Sequence, residues 1–503
     1  MTPVQTTCGL VEGISRESHA AYYGIPFAAS AAEKDRFRAP APPPAWDGVR
    51  ETFTPGLASP QTSHAIPGFA ASGPQGEDCL SLNAFTPAAD GAARPVLFWI
   101  HGGGFTHGAG SDLLYDGGPL AVRGDVVVVT INYRLGALGY LYLRAHLPAE
   151  ALAVNAGQLD MIAALHWVRD NIAAFGGDPA NVTIFGESAG AAAVGTLLAM
   201  PAAKGLFHKA ILQSGTGRAI DPERAARVTG MLLDELGLGQ EPAGILTRPV
   251  QEILAAQAAT AGKAQRELGL AFGPVLDPQT LPRLPFDAIA AGVAADIPVL
   301  IGTNRDEVKL FNASIRRDEI DDTTLETSVA ASLRHCTPAA ARELAGHYRQ
   351  SRTARGLLHT NLDILDAVQS DARFRVGALR MALAQAAQQP MTFVYLFTHE
   401  SPARRGALGS CHALEMPFVF GTLSAPTQDR FAGTGPAVER LSHEMMDAWI
   451  SFARTGSPAH EGIGPWPAYD ADTRPTMVFD TRRSAITPDP FSSEREAIEP
   501  FVA

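Results

Sequence analysis

One serine of the chain lies in a pattern that would make it a nucleophile. Ser188 is the middle residue of GESAG (186–190), which completes the apolar run VTIFG and precedes AAAVGTLLAM, a good helix former. A sharp turn from strand to helix would lift the Ser188 hydroxyl out of the sheet. It would also place the amide of Ala189 at a helix start, where negative charge is favoured. The alternative is a glycine-rich turn in which Ser188 only caps the helix.

A glycine triplet could supply hydrogen-bond donors for the same chemistry. The segment HGGGF (101–105) follows the apolar run VLFWI. Acyl transfer passes through a tetrahedral intermediate whose oxygen becomes negative, so donors must already point at that oxygen. Consecutive glycines let backbone amides approach closely, and we expect the donors to be the amides of Gly103, Gly104 and Ala189. A triplet standing alone would favour a flexible loop, and the GESAG segment downstream makes that the lesser alternative.

A serine hydroxyl needs a base to remove its proton, and histidine titrates in the useful range. The histidines that follow residue 307 are His335, His347, His359, His399, His412, His443 and His460. Most of them look like helix-surface or loop residues. His412 lies in a glycine-containing loop after the apolar run TFVYLF, where a base is expected. A structural loop histidine is the alternative.

An acid should orient that base from the end of an earlier strand, because the order along the chain is serine, acid, histidine. Asp306 and Glu307 end the segment PVLIGTNRDE. Either carboxylate could hold the imidazole in one tautomer and stabilise the imidazolium. The alternative is a solvated pair that caps the following helix, so the residues alone leave the choice open.

The elements that must position these residues alternate along the chain. Short apolar runs predict strands at 96–100, 126–133, 182–186, 209–215, 298–304 and 392–397. Apolar residues at three- and four-residue spacing predict a helix over 156–177, stopped by Gly176 and Gly177. This alternation predicts an α/β fold with a mostly parallel central sheet flanked by helices. Helical spacing over 308–390 predicts a helical insertion that caps the sheet, and the Pro-rich run 38–46 predicts an extended surface segment.

Composition excludes several classes of partner. A formal charge of −12 over 503 residues argues against nucleic acid and gives no help in binding an anionic membrane. The N-terminus has no signal-peptide pattern, and the apolar runs are too short to span a bilayer. Four scattered cysteines suit the reducing cytoplasm. A leader peptide that has been cleaved off is the alternative to a cytoplasmic protein. Acyl transfer through a serine needs neither a metal nor an organic cofactor, and no His/Cys cluster with ligand spacing argues otherwise, so we expect none.

Together these segments resemble the type-B carboxylesterase family, which includes p-nitrobenzyl esterases, carboxylesterases and cholinesterases. The resemblance covers essentially the whole chain through, in order, YYGIPFA (22–28), EDCLSLNAFTP (77–87), WIHGGGFTHG (99–108), NYRLGALGYL (132–141), VTIFGESAG (182–190), GTNRDE (302–307) and HALEMPFVFG (412–421). It implies a single α/β-hydrolase domain over 1–503. It also implies a carboxylic ester hydrolase acting on small-molecule esters. We expect a monomer, with a homodimer as the alternative.

The resemblance also implies roles for individual residues. The family's acid is the glutamate of an Asp-Glu pair, so the resemblance selects Glu307, with Ser188 and His412 completing a triad. It supports the three amide donors named above. Glu187 is expected in a supporting role near the floor of the site, and Ser214 as a partner of the acid.

Apolar residues near these motifs are candidates for the substrate pocket: Phe105, Leu268, Leu270, Phe272 and Phe311. Each could equally belong to the core, and we favour the core for Phe272 and Phe311. The GGGF loop resembles those of esterases that admit bulky alcohols. We therefore expect esters with short to medium acyl groups and aryl or bulky alcohols.

The chain departs from the family pattern at three places. Val308 replaces the usual glycine after the acid, and Cys79 has no upstream cysteine with which to form the disulfide of secreted members. Phe69 lies near the position of the choline-stacking tryptophan of cholinesterases, so we expect no strong choline preference.

Two alternative functions remain at this point: an amidase or carbamate hydrolase with the same triad, and a silent adhesion or scaffold protein. One alternative nucleophile also remains, the thiol of Cys411 beside His412.

Overall fold

The computed structural model describes residues 2–64, 70–71, 73–147, 152–268, 271–316 and 319–502. Two compact units divide the chain. The N-terminal unit contains Met1–Ile211 and Gly217–Ile297, and the C-terminal unit contains Leu212–Thr216 and Pro298–Ala503. The candidate nucleophile and the oxyanion candidates lie in the first unit, and the candidate acid and base lie in the second.

The N-terminal unit contains strands and helices that alternate after an antiparallel start. Its strands are β1 (Val4–Gln5), β2 (Leu10–Glu12), β3 (Ile14–Ser15), β4 (Ala20–Pro26), β5 (Val49–Glu51), β6 (Ser81–Thr86), β7 (Arg94–Ile100), β8 (Val127–Ile131) and β9 (Gly177–Glu187). Strand β10 (Lys209–Gln213) begins in this unit and ends in the next. Its helices are α1 (Gly118–Gly124), α2 (Gly136–Tyr140), α3 (Ala156–Asn171), α4 (Ala189–Leu197), α5 (Pro222–Glu235), α6 (Val250–Leu268) and α7 (Pro285–Ala290).

The sheet of this unit has the strand order β9-β7-β8-β6-β4-β3. Strands β9, β7 and β8 run parallel, whereas β6, β4 and β3 join antiparallel. Every residue of β7 and β8 is buried, as expected for parallel strands covered on both faces. Ile100 at the end of β7 pairs with Gly186 of β9. The carboxyl ends of these two strands therefore release the HGGGF loop and Ser188 at the same edge of the sheet.

The C-terminal unit contains four further strands with helices between them. The strands are β11 (Val299–Asn304), β12 (Thr392–Phe397), β13 (Pro475–Phe479) and β14 (Ala485–Pro488). The helices are α8 (Asp322–Ser332), α9 (Pro338–Ala354), α10 (Asn361–Ser370), α11 (Val376–Ala386), α12 (Met416–Phe420), α13 (Gln428–Phe431), α14 (Pro436–Thr455) and α15 (Ser492–Val502).

Strands β11, β12 and β13 of this unit are parallel neighbours, and β14 joins β13 antiparallel. Asn304 at the end of β11 pairs with Phe397 at the end of β12. The turn that contains Glu307 and the loop that contains His412 therefore start side by side. This register is the reason that residues 105 positions apart in the sequence can meet.

Helices α8 to α11 occupy the stretch between β11 and β12 for which helical spacing predicts an insertion. They form their own apolar core with residues such as Leu325, Val329, Leu344 and Tyr348, to which Ile498 of α15 contributes. Thr360 and Asp363 form a capping box that starts α10. That these helices cap the sheet stays a prediction.

The predicted elements agree with the structure except at their ends. Helix α3 stops at Asn171, and a 3-10 turn, Ile172–Phe175, continues to Gly176, which has a left-handed backbone (φ 84°). Residues 39–46 contain no helix or strand. The antiparallel strands β3, β4 and β6 were not predicted, because β4 contains a bulge between Tyr22 and Ile25 and β6 includes polar residues.

Three further observations concern the described part of the chain. No helix there is both long enough and apolar enough to cross a membrane. Among the same residues, no group of three or more His, Cys, Asp or Glu side chains could hold a metal ion. The four cysteines are free thiols.

Candidate active site

Ser188 lies on a strained turn between β9 and α4. Its backbone has φ 55° and ψ −119°, a conformation that residues with a side chain rarely adopt. The turn is tight enough that a Cβ on Gly190 would collide with the carbonyl oxygen of Ile100. Ser188 keeps part of its surface exposed while its neighbours are buried. The turn thus has the geometry of a nucleophile elbow rather than of an ordinary helix cap, and the Ser188 side chain makes no capping hydrogen bond.

The glycine loop lies directly against this turn. The position of a Cβ on Gly102 would be 3.2 Å from the Cβ of Ser188 and 2.9 Å from Oε2 of Glu187. Gly103 and Gly104 both have left-handed backbones, with φ 100° and 64°. A side chain on Gly103 would collide with the carbonyl oxygen of His107. Glycine is therefore required here for the backbone to turn beside Ser188.

Two of the three amides expected to form the oxyanion hole, those of Gly103 and Gly104, have no hydrogen-bond acceptor among the described residues. Ala189 is the first residue of α4, where an N–H has no partner within the helix. Donors left unpaired at a helix start favour a negatively charged oxygen.

His101 anchors this loop. Its ring stacks on Tyr133 with centroids 4.4 Å apart, and the Tyr133 hydroxyl donates a 2.9 Å hydrogen bond to the carbonyl oxygen of His101. Burial lowers the pKa of His101 to about 4, so the imidazole is neutral at physiological pH.

The C-terminal unit joins the predicted acid to the predicted base. Oε2 of Glu307 lies 2.6 Å from Nδ1 of His412, and both side chains are buried. The backbone N–H of His412 also donates to the carbonyl oxygen of Glu307, at 3.2 Å. Because Nδ1–H donates to the carboxylate, the neutral ring carries its lone pair on Nε2. This tautomer is the one that a general base needs.

The other oxygen of the Glu307 carboxylate, Oε1, accepts a 2.8 Å hydrogen bond from the backbone N–H of Asn304. The buried Oγ of Ser214 has no hydrogen-bond partner among the described residues. The Ser214 backbone N–H instead donates to the carbonyl oxygen of Gly302. A role for Ser214 toward the acid therefore stays a prediction.

Asp306 does not approach the imidazole. Its carboxylate accepts hydrogen bonds from Arg305, Arg352 and the backbone N–H of Ser410. Burial by itself would raise its pKa, but the charges of Arg305, Lys309 and Arg352 hold the pKa of Asp306 below its ordinary value. The structure thus separates two adjacent carboxylates that the residues alone left equivalent.

A second buried carboxylate, which the sequence reasoning missed, lies behind the acid. Asn304 Nδ2 donates to Oε2 of Glu415 at 2.6 Å and to the carbonyl oxygen of Cys411 at 2.7 Å. Burial, followed by the charge of Glu307, raises the pKa of Glu415. The spacing of His412 and Glu415 was the available signal, since side chains three residues apart can share a turn.

Two aromatic rings lie beside the imidazole. Phe311 and Phe374 are parallel to each other, and their centroids lie 5.1 Å and 5.0 Å from that of His412. Phe374 belongs to a π-helical turn, Asp371–Arg375, a feature that often marks functional sites. Phe311 is half-buried, so it is not plain core. The sequence reasoning missed Phe374, because a π-turn has no sequence signature.

The remaining pocket candidates divide between core and undescribed positions. Phe105, Leu268 and Phe272 are buried, and Phe105 packs edge-on against Tyr140. Leu270 and Phe69 lie outside the described residues.

The surroundings of Cys411 disfavour a thiol nucleophile. Burial and the charge of Glu307 raise the pKa of Cys411 well above its ordinary value, which works against formation of the reactive thiolate.

Comparison with known proteins identifies the same chemistry. The chain matches the model of the Carboxylesterase family over residues 1–495. It is 40% identical to the para-nitrobenzyl esterase of Bacillus subtilis, over 99% of this chain and 98% of that protein. It is 34% identical to the phenmedipham hydrolase of Pseudarthrobacter oxydans, over 96% of each. The crystal structure of a Geobacillus stearothermophilus carboxylesterase superposes with a TM-score of 0.86 at 41% identity, covering 99% of this chain and 100% of that one.

These similarities extend over nearly the full length of the chain. They confirm the α/β-hydrolase fold that the family resemblance implies. They also exclude the silent scaffold as the class of protein, since the relatives are named as hydrolases. The chain belongs to the type-B carboxylesterase family and is a carboxylic ester hydrolase.

Proposed function

We propose that this protein hydrolyses carboxylic esters by two-step acyl transfer through an acyl-enzyme on Ser188. His412 takes the proton of the Ser188 hydroxyl, the oxygen attacks the ester carbonyl, and the alcohol leaves with the proton that His412 returns. Water then attacks the acyl-enzyme with the same base, and the carboxylic acid is released. Glu307 holds the imidazole and stabilises the imidazolium that forms in each step.

One observation carries the proposal: the buried pair formed by Glu307 and His412, with Oε2 and Nδ1 2.6 Å apart. A carboxylate that accepts from Nδ1–H leaves Nε2 as the proton acceptor. The pair is excluded from water. In this buried, low-dielectric environment the interaction of an imidazolium with a carboxylate is stronger than it would be in water. The strained backbone of Ser188 supports the same assignment from the nucleophile's side.

The amides of Gly103, Gly104 and Ala189 are our candidates for the oxyanion hole, and Glu187 for support beneath it. The amide of Ala189 starts a helix, and the two glycine amides have no described acceptor. Preorganised donors of this kind stabilise the charge that develops in the transition state, each by a factor of about 10²–10³ in turnover.

The proposed substrates are esters with a short to medium acyl group and an aryl or bulky alcohol. The half-buried rings of Phe311 and Phe374 give the surroundings of His412 an apolar character. The Bacillus subtilis relative is named for para-nitrobenzyl esters, so a para-nitrobenzyl ester is the first substrate to test.

We also propose that residues 1–503 form one hydrolase domain with a helical cap over 308–390. The enzyme would work in the cytoplasm as a monomer or homodimer without a cofactor. The free thiols of Cys79 and the other cysteines support a reducing compartment.

The decisive experiment compares the wild type with Ser188→Ala on p-nitrophenyl butyrate and a para-nitrobenzyl ester. Loss of the nucleophile should lower kcat by a factor of about 10⁶ and abolish labelling by an organophosphate. Unchanged hydrolysis by folded Ser188→Ala would refute the assignment. A matched ester and amide then test the substrate class, and an amide hydrolysed faster than the ester would favour an amidase.

A further inference from the structure

A buried carboxylate next to the acid has no part in the mechanism described above. The side chain of Asp306 is about 1% exposed and faces three cations. Arg305 Nη2 lies 2.7 Å from Oδ2, Arg352 Nη2 lies 3.3 Å from Oδ1, and Lys309 Nζ lies 4.0 Å from Oδ1. An arrangement of this kind keeps Asp306 ionised, so the carboxylate is a fixed negative charge.

This carboxylate also binds the loop that carries the base. We call Thr398–His412 the base loop and Arg305–Leu310 the acid turn. The backbone N–H of Ser410 donates to Oδ2 of Asp306 at 3.1 Å, and the N–H of Asp306 donates to the carbonyl oxygen of Ser410 at 2.9 Å. Ser410 is two residues before His412. The reciprocal pair therefore fixes the base loop at the point from which the imidazole projects.

A second contact between the acid turn and the base loop is made by Arg305, the neighbour of Asp306. Arg305 donates to the Glu400 carboxylate at 2.6 Å while it also donates to Asp306. Asp306 thus holds in place a guanidinium that reaches the beginning of the base loop. Removing the carboxylate would loosen both ends of the loop.

The loop backbone closes tightly on the carboxylate. Gly409 has a left-handed backbone (φ 55°), and a Cβ at this position would lie 2.6 Å from Oδ2 of Asp306. Glycine is therefore required at position 409 for the base loop to approach Asp306.

We propose that Asp306 is a positioning residue, which fixes Ser410 and through it sets the His412 imidazole against Glu307. The inference rests on the proposed function, because it concerns the placement of the proposed base. The hydrogen bond from the Ser410 N–H to an ionised carboxylate is stronger than one to a neutral amide. Asparagine at position 306 would also leave the charges of Arg305, Lys309 and Arg352 without their shared partner.

Asp306→Asn tests the proposal, and Asp363→Asn is its matched control. Asp363 is another buried carboxylate, about 2% exposed, and it pairs with the same Lys309 at 3.3 Å. Its hydrogen bonds go to the N-terminus of α10 at Thr360. Both variants remove a buried charge that pairs with Lys309, and Asp306→Asn removes in addition the hydrogen bond to Ser410 of the base loop.

We expect folded Asp306→Asn to lose a factor of about 10–100 in kcat while KM changes less than about threefold, because a misplaced base slows chemistry without altering ester binding. Asp363→Asn should keep kcat within about threefold of the wild type, because its effect is confined to stability. Equal kcat values for the two folded variants would overturn the proposal.

Gly409→Ala provides a second variant that keeps every charge. Its methyl group would press on the Asp306 carboxylate, and kcat should again fall with little change in KM. Gly406→Ala is the control in the same loop, because it has the same backbone hand (φ 82°) and open space around a Cβ. If Asp306→Asn does not fold, equal kcat in Gly409→Ala and Gly406→Ala overturns the proposal.

The proposed triad is tested separately in the same assay. Wild-type turnover in Glu307→Gln would refute the triad itself. Inactive Glu307→Gln and Ser188→Ala together with a normal Asp306→Asn would refute only the positioning role.

Discussion

Glu307 and His412 form a hydrogen bond of 2.6 Å between Oε2 and Nδ1 in a place where neither side chain is exposed to solvent. Two adjacent strand ends, those of β11 and β12, bring these residues together. The backbone N–H of Asn304 donates a hydrogen bond to the other carboxylate oxygen, Oε1, and so fixes the rotation of the Glu307 carboxylate. The orientation of the His412 imidazole is thus determined before any substrate arrives.

Glu307→Gln should lower kcat by about 10³–10⁴, because an amide cannot select the imidazole tautomer or stabilise the imidazolium. Glu415→Gln is the matched control, since Glu415 is buried in the same cluster but bonds to Asn304 rather than to the imidazole. Burial raises the pKa of Glu415 and so favours an uncharged side chain there, and kcat should fall less than about tenfold. Steady-state hydrolysis of p-nitrophenyl butyrate measures both, and a larger loss in Glu415→Gln would contradict the assignment of the acid.

Gly103→Ala should lower kcat by about 10²–10³, because the methyl group would collide with the carbonyl oxygen of His107 and turn the loop amides away from the oxyanion. Gly104→Ala should lose less activity. Its nearest neighbour would be Thr106 Oγ1 at 3.8 Å, and it incurs only the cost of a left-handed backbone, about 1–2 kcal/mol. Kinetics and thermal melting of the two variants check the order, and the reverse order would argue against this oxyanion loop.

Phe374→Ala should lower kcat by about 2- to 12-fold, which corresponds to the 0.5–1.5 kcal/mol of an aromatic contact with the imidazole. Phe374→Leu refills most of the space and should retain more of the activity. The pair of variants separates packing against His412 from general destabilisation, provided that melting temperatures are measured alongside. Equal kcat in the wild type and Phe374→Ala would show that the ring does not restrain the base.

Asp366→Asn should stabilise the protein at neutral pH but not in acid. Burial raises the pKa of Asp366 to about 6, although a hydrogen bond from Asn312 opposes the shift. The folded state therefore holds the proton more tightly than the unfolded chain, and stability is lost as pH rises from about 4 through about 6. The variant avoids this loss, which amounts to about 2–3 kcal/mol above pH 6. Thermal melts at pH 4, 5, 6 and 7.5 test it, and an equal gain at every pH would contradict the shift.

The sequence by itself determined the local features of this protein. Runs such as 96–100 and 392–397 predict buried strands because apolar, β-branched residues in a short stretch have few other stable environments. The GESAG turn is equally local, since the strand before it, the glycines within it and the helix after it are continuous in the chain. Family resemblance then selected Glu307 and His412 among several candidates, a choice that spacing alone left open.

Only the tertiary structure decided which carboxylate faces the imidazole and which faces the cations. Asp306 and Glu307 are neighbours of the same type, and their environments differ through residues more than forty positions away, such as Arg352 and His412. The same holds for Phe374, whose ring approaches the imidazole from a π-helical turn. Strand register and burial create these environments, and both are properties of contacts between distant segments, so no local pattern contains them.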